Sequence, residues 1–358
     1  MPASVHADIN LTALRHNLSI ARQQAPQSRI MAVVKSLGYG HGAIEVAKAL
    51  SGQADALAVA RMDEALVLRK AGISADILVL EGAVVAEDVE KADQHKLQLV
   101  VHQPYQVDLL RQLKLSKRVD CWLKIDSGMH RLGFPVTELS QVYAELKAVE
   151  SVADVTLMTH LANADDLLDP ATALQLEKMH AASAHLQEPL SIANSAGILA
   201  WPDSHGAWVR PGIMLYGASP ILGVSAAENE LQAVMTLRAP LIAVKRLNKG
   251  DAVGYGGTWQ APESMTMGVV AIGYGDGYPR HVDAAACALL NGSRAPLIGR
   301  VSMDMISLDL RGIDAQVGDE VTLWGEGLPV EEVAGWANTI SYTLFCGVTA
   351  RVPRRYRD

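Results

Sequence analysis

Cysteine is scarce in this chain of 358 residues. The three cysteines, Cys121, Cys287 and Cys346, are odd in number and far apart. They suggest neither a disulfide framework nor a zinc site, so no metal is expected and a reducing cytoplasm fits best. Long apolar runs are also missing. No stretch approaches the ~18 uninterrupted apolar residues that would span a bilayer. The segment from Met1 to Asn10 lacks a basic stretch followed by an apolar one, so neither a secretory signal nor a membrane partner is expected. Excess positive charge is absent: the net charge is -8, which argues against a nucleic-acid partner. Arg351, Arg354, Arg355 and Arg357 cluster near the C-terminus and read as a solvated tail. There is no internal repeat and no low-complexity segment.

The first two-thirds of the chain alternate apolar runs with amphipathic stretches. The runs are Ile30–Val34, Ala56–Ala60, Ile77–Leu80, Leu97–Val101, Val119–Ile125, Val155–His160, Leu190–Asn194 and Trp208–Arg210. Helical periods lie between most of them, at Ala43–Leu50, Met62–Ala71, Tyr105–Leu113, Leu139–Val149 and Ala171–Leu186. Near-continuous apolar strands alternating with helices indicate a parallel sheet. Eight such units suggest a (β/α)8 barrel, with a doubly wound open sheet as the rival.

After about Tyr216 helical periods nearly vanish. Short β-prone runs take over at Val234–Leu237, Leu241–Val244, Met267–Ile272, Cys287–Leu290 and Ile306–Leu310. Turn signals such as Asn291-Gly292 and Gly318-Asp319 separate them, and one late helix is expected near Val330–Asn338. The expected fold is α/β: a barrel over residues 1–217, then a mainly β C-terminal domain over 218–358. The extreme N-terminus is left open to pack on the β domain.

Reactive groups of a (β/α)8 barrel gather at the C-terminal ends of its strands. Lys35 closes the first predicted strand. Lys124, Asp126 and Arg131 follow the fifth, His160 ends the sixth, Asn194 and Ser195 end the seventh, and Arg210 and Gly212 end the eighth. Each has an ordinary structural reading, but together they occupy one rim. Ser195 offers a hydroxyl, and Gly212 lets its own N–H and that of Ile213 approach a phosphate. A phosphate site opposite a strand-end lysine suggests a phosphorylated carbonyl cofactor.

Ordered motifs then cover essentially the whole chain. They run from Ala32 to Gly42, Leu123 to Gly133 and Trp208 to Gly217 in the first part. They continue from Val253 to Gly256, Gly273 to Arg280 and Gly299 to Asp304, and close with Arg351-Val352-Pro353-Arg354. In this order they resemble the motifs of alanine racemases, enzymes of fold type III that use pyridoxal 5'-phosphate (PLP). The resemblance implies an isomerase that interconverts L- and D-alanine, whether for cell-wall precursors or in catabolism. Lys35 would carry PLP. It would also be one of two acid/base groups, the other being Tyr255 from the partner subunit of a homodimer.

Further roles follow from the same resemblance. Tyr39, Ser195, Gly212, Ile213 and Tyr342 would bind the phosphate. Arg210 would face the pyridine nitrogen, and His160 would tune the tyrosine. Arg131 would contact the cofactor's phenolic oxygen and the substrate carboxylate, with Lys124 carbamylated in support. Met303 would offer its N–H to the carboxylate, while Tyr274 and Asp304 would line the approach. Tyr255, Tyr342 and Met303 would set a narrow alanine pocket. The family usually has Ala-Asn-Ala or Ala-Asp-Ala after the lysine, where this chain has Ser36-Leu37-Gly38. Three other readings are a racemase of broader specificity, a decarboxylase of the same fold class and a non-catalytic PLP-binding barrel. Arg210 opposes the decarboxylase, and the motifs between Tyr255 and Asp304 oppose the bare barrel.

Overall fold

A computed structural model describes residues 4–115 and 117–358 of the chain. Eight parallel strands close on themselves. Their order is Arg29–Val33, Ala56–Val59, Ile77–Val79, Leu97–Val101, Val119–Asp126, Val152–Met158, Leu190–Ser191 and Trp208–Val209, and the last returns to pair with the first. All eight expected strands are present, shifted by at most three residues at either end. Closure excludes the doubly wound rival, because an open sheet would leave two edges unpaired. Helices follow the strands, including Ala43–Leu50, Met62–Lys70, Pro104–Gln112, Leu139–Lys147 and Ala171–Ser183. Ala86–His95 is helical too and turns Val89 and Ala92 into the core. No described helix is long and apolar enough to cross a membrane.

The second sheet is mainly antiparallel and centres on the long strand Met235–Leu247. That strand pairs with Glu320–Trp324 along its first half and with Met265–Val270 along its second. Ile306–Asp309, Ser293–Ile298 and Cys287–Leu290 complete the ring between those two partners. Asn291 and Gly292, both at positive φ, turn the hairpin between the last two strands, as their sequence suggested.

Two strands extend this sheet from the ends of the chain. His6–Asn10 pairs antiparallel with Met235–Leu247 and parallel with Arg354–Arg357. The expected solvated tail is therefore wrong: Arg354, Arg355 and Arg357 lie in a strand, and Arg351 before it is ion-paired. Arg354 donates to the carbonyls of Val348, Thr349 and Val352 just before it and to that of Gly40, so its guanidinium is committed to main-chain acceptors. From the first strand the chain enters the helix Leu11–Gln24, capped by the Asn10 side chain, which accepts from the Ala13 N–H at 2.9 Å.

Asn17 on that helix joins the barrel to the segment leading to the second sheet. It is fully buried, donates to the carbonyls of Leu215 and Gln232 at 3.0 and 2.8 Å, and accepts from the Gln232 N–H at 2.8 Å. Asn17→Ala strands all three main-chain groups away from water. It is expected to lower unfolding stability by roughly 3 kcal/mol in urea titration, whereas a change below about 0.5 kcal/mol is what an exposed surface site would give.

Candidate active site

The expected residues at the barrel rim line one cavity of about 580 Å³. Lys35, Tyr39, Lys124, Arg131, His160, Ser195, Arg210, Gly212, Ile213 and Tyr342 all border it. Barrel closure explains the gathering: residues just past the ends of different parallel strands converge although they lie far apart in sequence. Among the lining residues four side chains are cationic, and Glu81 is the only carboxylate. Such a cavity favours an anionic ligand.

Arg210 is buried and firmly anchored. Nη1 donates to the Ser191 hydroxyl at 2.6 Å, and Nη2 to the Thr159 carbonyl at 2.7 Å and the Ile192 carbonyl at 3.2 Å. Nη2 also lies 3.3 Å from Nδ1 of His160. A guanidinium only donates, so His160 Nδ1 accepts and the ring is neutral. Burial, and then Arg210, Lys124 and Arg131, push His160 well below the usual histidine range. Burial lowers Arg210 to about 10, which leaves it charged at neutral pH.

The two lysines respond differently from the arginines because an ammonium can shed its proton. Lys124 is lowered to about 8 by burial and then by Arg210, Arg131 and Lys35. Its Nζ has no hydrogen bond to a described residue. Lys35 is lowered by burial and then by Arg131, while Glu64 and Glu81 oppose that shift. A larger fraction of its amine is therefore neutral than in a free lysine.

Opposite Lys35, the Ser195 hydroxyl oxygen accepts from the N–H groups of Gly212 at 2.8 Å and Met214 at 3.4 Å. Its own proton is left to donate elsewhere. A Cβ on Gly212 would sit 2.6 Å from the Tyr39 hydroxyl, so only glycine keeps this corner open. Tyr39 stacks on the buried Tyr216 with centroids 4.7 Å apart and meets Tyr342 at 5.8 Å. Tyr216 in turn donates to the Val33 carbonyl at 3.0 Å, two residues before Lys35. The Ser195–Gly212 corner and the lysine are thus braced by one aromatic stack.

Arg131 sits on the loop after the fifth barrel strand. Asp126 organises that loop by accepting from the N–H groups of Gly128 and His130 at 2.9 and 3.0 Å, and these bonds hold its carboxyl below the usual range despite burial. PLP presents a phosphate, a phenolic oxygen, an aldehyde carbon and a pyridine nitrogen. The hydroxyl-and-glycine corner, two arginines and a partly neutral lysine suit those groups.

Tyr255, Tyr274, Met303 and Asp304 do not line the cavity. They are exposed on loops of the second domain, Tyr255 at 68% in the short turn Tyr255–Gly257. The loops carrying Tyr274 and Met303 interlock, with the N–H groups of Tyr274 and Gly275 donating to the carbonyls of Ser302 and Met303. Arg351 ties both loops down through Asp276 at 2.9 Å and Asp304 at 2.7 Å. Glu81 and Cys346 also border the cavity and were not singled out from sequence. Cys346 comes from the helix Ser341–Gly347, which also carries Tyr342 and was missed because it is short and contains glycine.

Residues after Lys35 form a left-handed turn, with φ of 53° at Ser36, 56° at Leu37, 61° at Gly38 and 51° at Tyr39. Glycine suits this region, but leucine does not. Leu37 is 67% exposed, so packing does not offset its strain. Leu37→Asn is expected to raise stability by roughly 0.5–1 kcal/mol in chemical unfolding. No gain would mean that the turn carries no strain at this position.

Comparison with known proteins agrees over the full length. The family model for the alanine racemase N-terminal domain matches residues 9–220, and that for the C-terminal domain matches 234–356. An alanine racemase of Halorhodospira halophila is 51% identical over 360 residues, spanning 100% of this chain and 99% of that protein. One from Coxiella burnetii is 49% identical over 354 residues, with 97% of each chain covered. The crystal structure of the biosynthetic alanine racemase from Pseudomonas aeruginosa superposes with a TM-score of 0.96 at 44% identity, covering 99% of this chain and 100% of that one. The alanine racemase structure from Acinetobacter baumannii gives 0.95 at 34% identity, with 99% and 100% covered. With both domain families matched in order and relatives near half identical from end to end, the chain belongs to the alanine racemase family.

Proposed function

We infer that the chain is an isomerase that interconverts L-alanine and D-alanine with PLP as its cofactor. The observation that carries this reading is the shared cavity: Lys35 borders the same space as the Ser195–Gly212 corner and Arg210, in a chain similar to alanine racemases from end to end. PLP, when bound, withdraws electrons from the substrate α-carbon and makes its proton removable.

The residues of the chain divide the remaining tasks. Ser195, Gly212 and Ile213, with the hydroxyls of Tyr39 and Tyr342, hold the phosphate. Arg210 would donate to the pyridine nitrogen without surrendering its proton, which would keep that nitrogen largely unprotonated and weakly electron-withdrawing. This restraint favours return of a proton to the α-carbon. Arg131 binds the substrate carboxylate with its planar fork, assisted by the Met303 N–H. Lys35 Nζ takes or delivers a proton on one face of the α-carbon. Lys124, an amine near Arg131 whose charge Asp126 offsets only in part, is suited to carbamylation, which would convert it into an anion that steadies that arginine.

Racemisation also needs a proton on the opposite face. Tyr255 Oη is the second group, with His160 tuning it. Its exposure away from its own cavity supports donation to a partner subunit, so the working unit is a homodimer with shared sites. Tyr274, Met303 and Asp304 would enter the partner's cavity with it. We take residues 1–217 as the barrel unit and 218–358 as the β unit, with the first strand donated to the latter. Three unpaired cysteines support a reducing, cytoplasmic setting.

Assay of L- and D-isomers over a panel of amino acids tests the reaction. Alanine should racemise fastest, and no racemisation of any member would overturn the reading. Purified protein given PLP should gain a visible absorption band that Lys35→Ala lacks; colourless wild-type protein contradicts the cofactor. Gly212→Ala pushes against Tyr39 and should weaken PLP binding roughly tenfold, equivalent to about 1.4 kcal/mol, in equilibrium titration.

A further inference from the structure

Glu64 stands outside every role described above, yet its carboxylate joins the lysine loop to the neighbouring one. Oε1 accepts from the Ser36 N–H at 2.6 Å. Oε2 accepts from the N–H groups of Ala60 at 2.8 Å and Arg61 at 3.2 Å, which start the helix Met62–Lys70. The left-handed turn creates the need for the first bond. Within that turn Gly38, Gly40 and Gly42 find main-chain acceptors at Val34, Ser36 and Leu37, but Ser36 itself has none. A carboxylate from the next βα loop supplies the missing acceptor, one residue from Lys35.

We propose that Glu64 is a positioning residue for Lys35, clamping the strained turn so that the amine is held ready for PLP. The proposal rests on the cofactor reading above. The clamp does two things that are separable. It fixes the backbone immediately after Lys35, which limits where the amine can reach. It also sets an anion near a lysine on which Arg131 and Glu81 act in opposite directions. Glu64 and Glu81 favour the charged amine, while burial and Arg131 disfavour it. Lys124, His160 and the Cys346 thiol also face this amine.

Attachment reads both effects. In it, the neutral Lys35 amine forms a C=N bond to the aldehyde carbon of PLP, and the aldehyde oxygen leaves as water. Glu64→Gln keeps the side-chain shape. Its amide oxygen can still accept from Ala60 and Arg61, so the helix start survives. Its NH2 group then faces the Ser36 N–H, and the clamp is lost. Glu64→Asp keeps the charge but shortens the reach.

Full-length wild type and both variants would be stripped of PLP, checked for thermal unfolding and titrated with PLP across a pH series. Both variants should bind PLP roughly five- to tenfold more weakly than wild type. In Glu64→Gln the pH midpoint for attachment should also fall, because an anion that favours the charged amine is gone. In Glu64→Asp that midpoint should stay nearer to wild type. PLP affinity and midpoint equal to wild type in both variants would overturn the clamp, as would lower melting temperatures with unchanged PLP binding. Wild-type protein that takes up no PLP would instead overturn the cofactor reading on which the clamp rests.

Discussion

Four cations crowded into one cavity are the constraint around which this molecule is organised. Lys35 and Arg210 follow the first and eighth barrel strands, Lys124 lies near the end of the fifth and Arg131 on the loop after it, and all four share the space with one lining carboxylate. Uncompensated charge in such a place is expensive, and the structure relieves it in two ways. Arg210 cannot lose its proton at neutral pH, so it is surrounded by carbonyls, a hydroxyl and a neutral imidazole. The lysines can lose theirs, and burial beside the arginines pushes them in that direction. An anionic ligand completes the compensation, and a neutral lysine is what a carbonyl cofactor requires. Electrostatic relief and chemical readiness are here the same event.

The barrel was legible in the sequence because each parallel strand is buried on both faces and reads as a continuous apolar run. The rim residues were legible for a related reason: a polar residue at the end of such a run has nowhere to go but the mouth. Features decided by distant contacts were not legible. His6–Asn10 and Arg354–Arg357 become strands only by pairing with each other and with Met235–Leu247. Four arginines at a chain end look like a tail until Arg354 is seen to satisfy four carbonyls. Asn17 looks like any helical asparagine, although it fastens the segment between the two sheets. Glu64 lies in an ordinary charged helix start, and only the left-handed turn at Ser36 gives it a second partner.

That turn is also where the chain leaves the family pattern. An apolar Leu37 occupies a left-handed position, and Gly38 beside it adopts that conformation without strain. The sequence marked the departure but gave no sign of the backbone conformation, because left-handed residues in succession have no periodic signature. Strain next to Lys35 is tolerated because the surrounding contacts over-determine the loop: Tyr216 on Val33, Tyr39 on Tyr216, and Glu64 on Ser36.

Of the acid/base pair proposed above, Lys35 borders the cavity, and Tyr255 lies exposed outside it in the turn Tyr255–Gly257. A site divided between subunits is therefore the central claim, and subunit exchange tests it directly. Lys35→Ala and Tyr255→Phe proteins should each be nearly inactive alone. Mixed, dissociated and reassembled, they should recover about a quarter of wild-type activity, since half of the dimers would contain one site with both native groups. A mixture no more active than its parents, or a Tyr255→Phe protein that racemises alanine at the native rate, would contradict it.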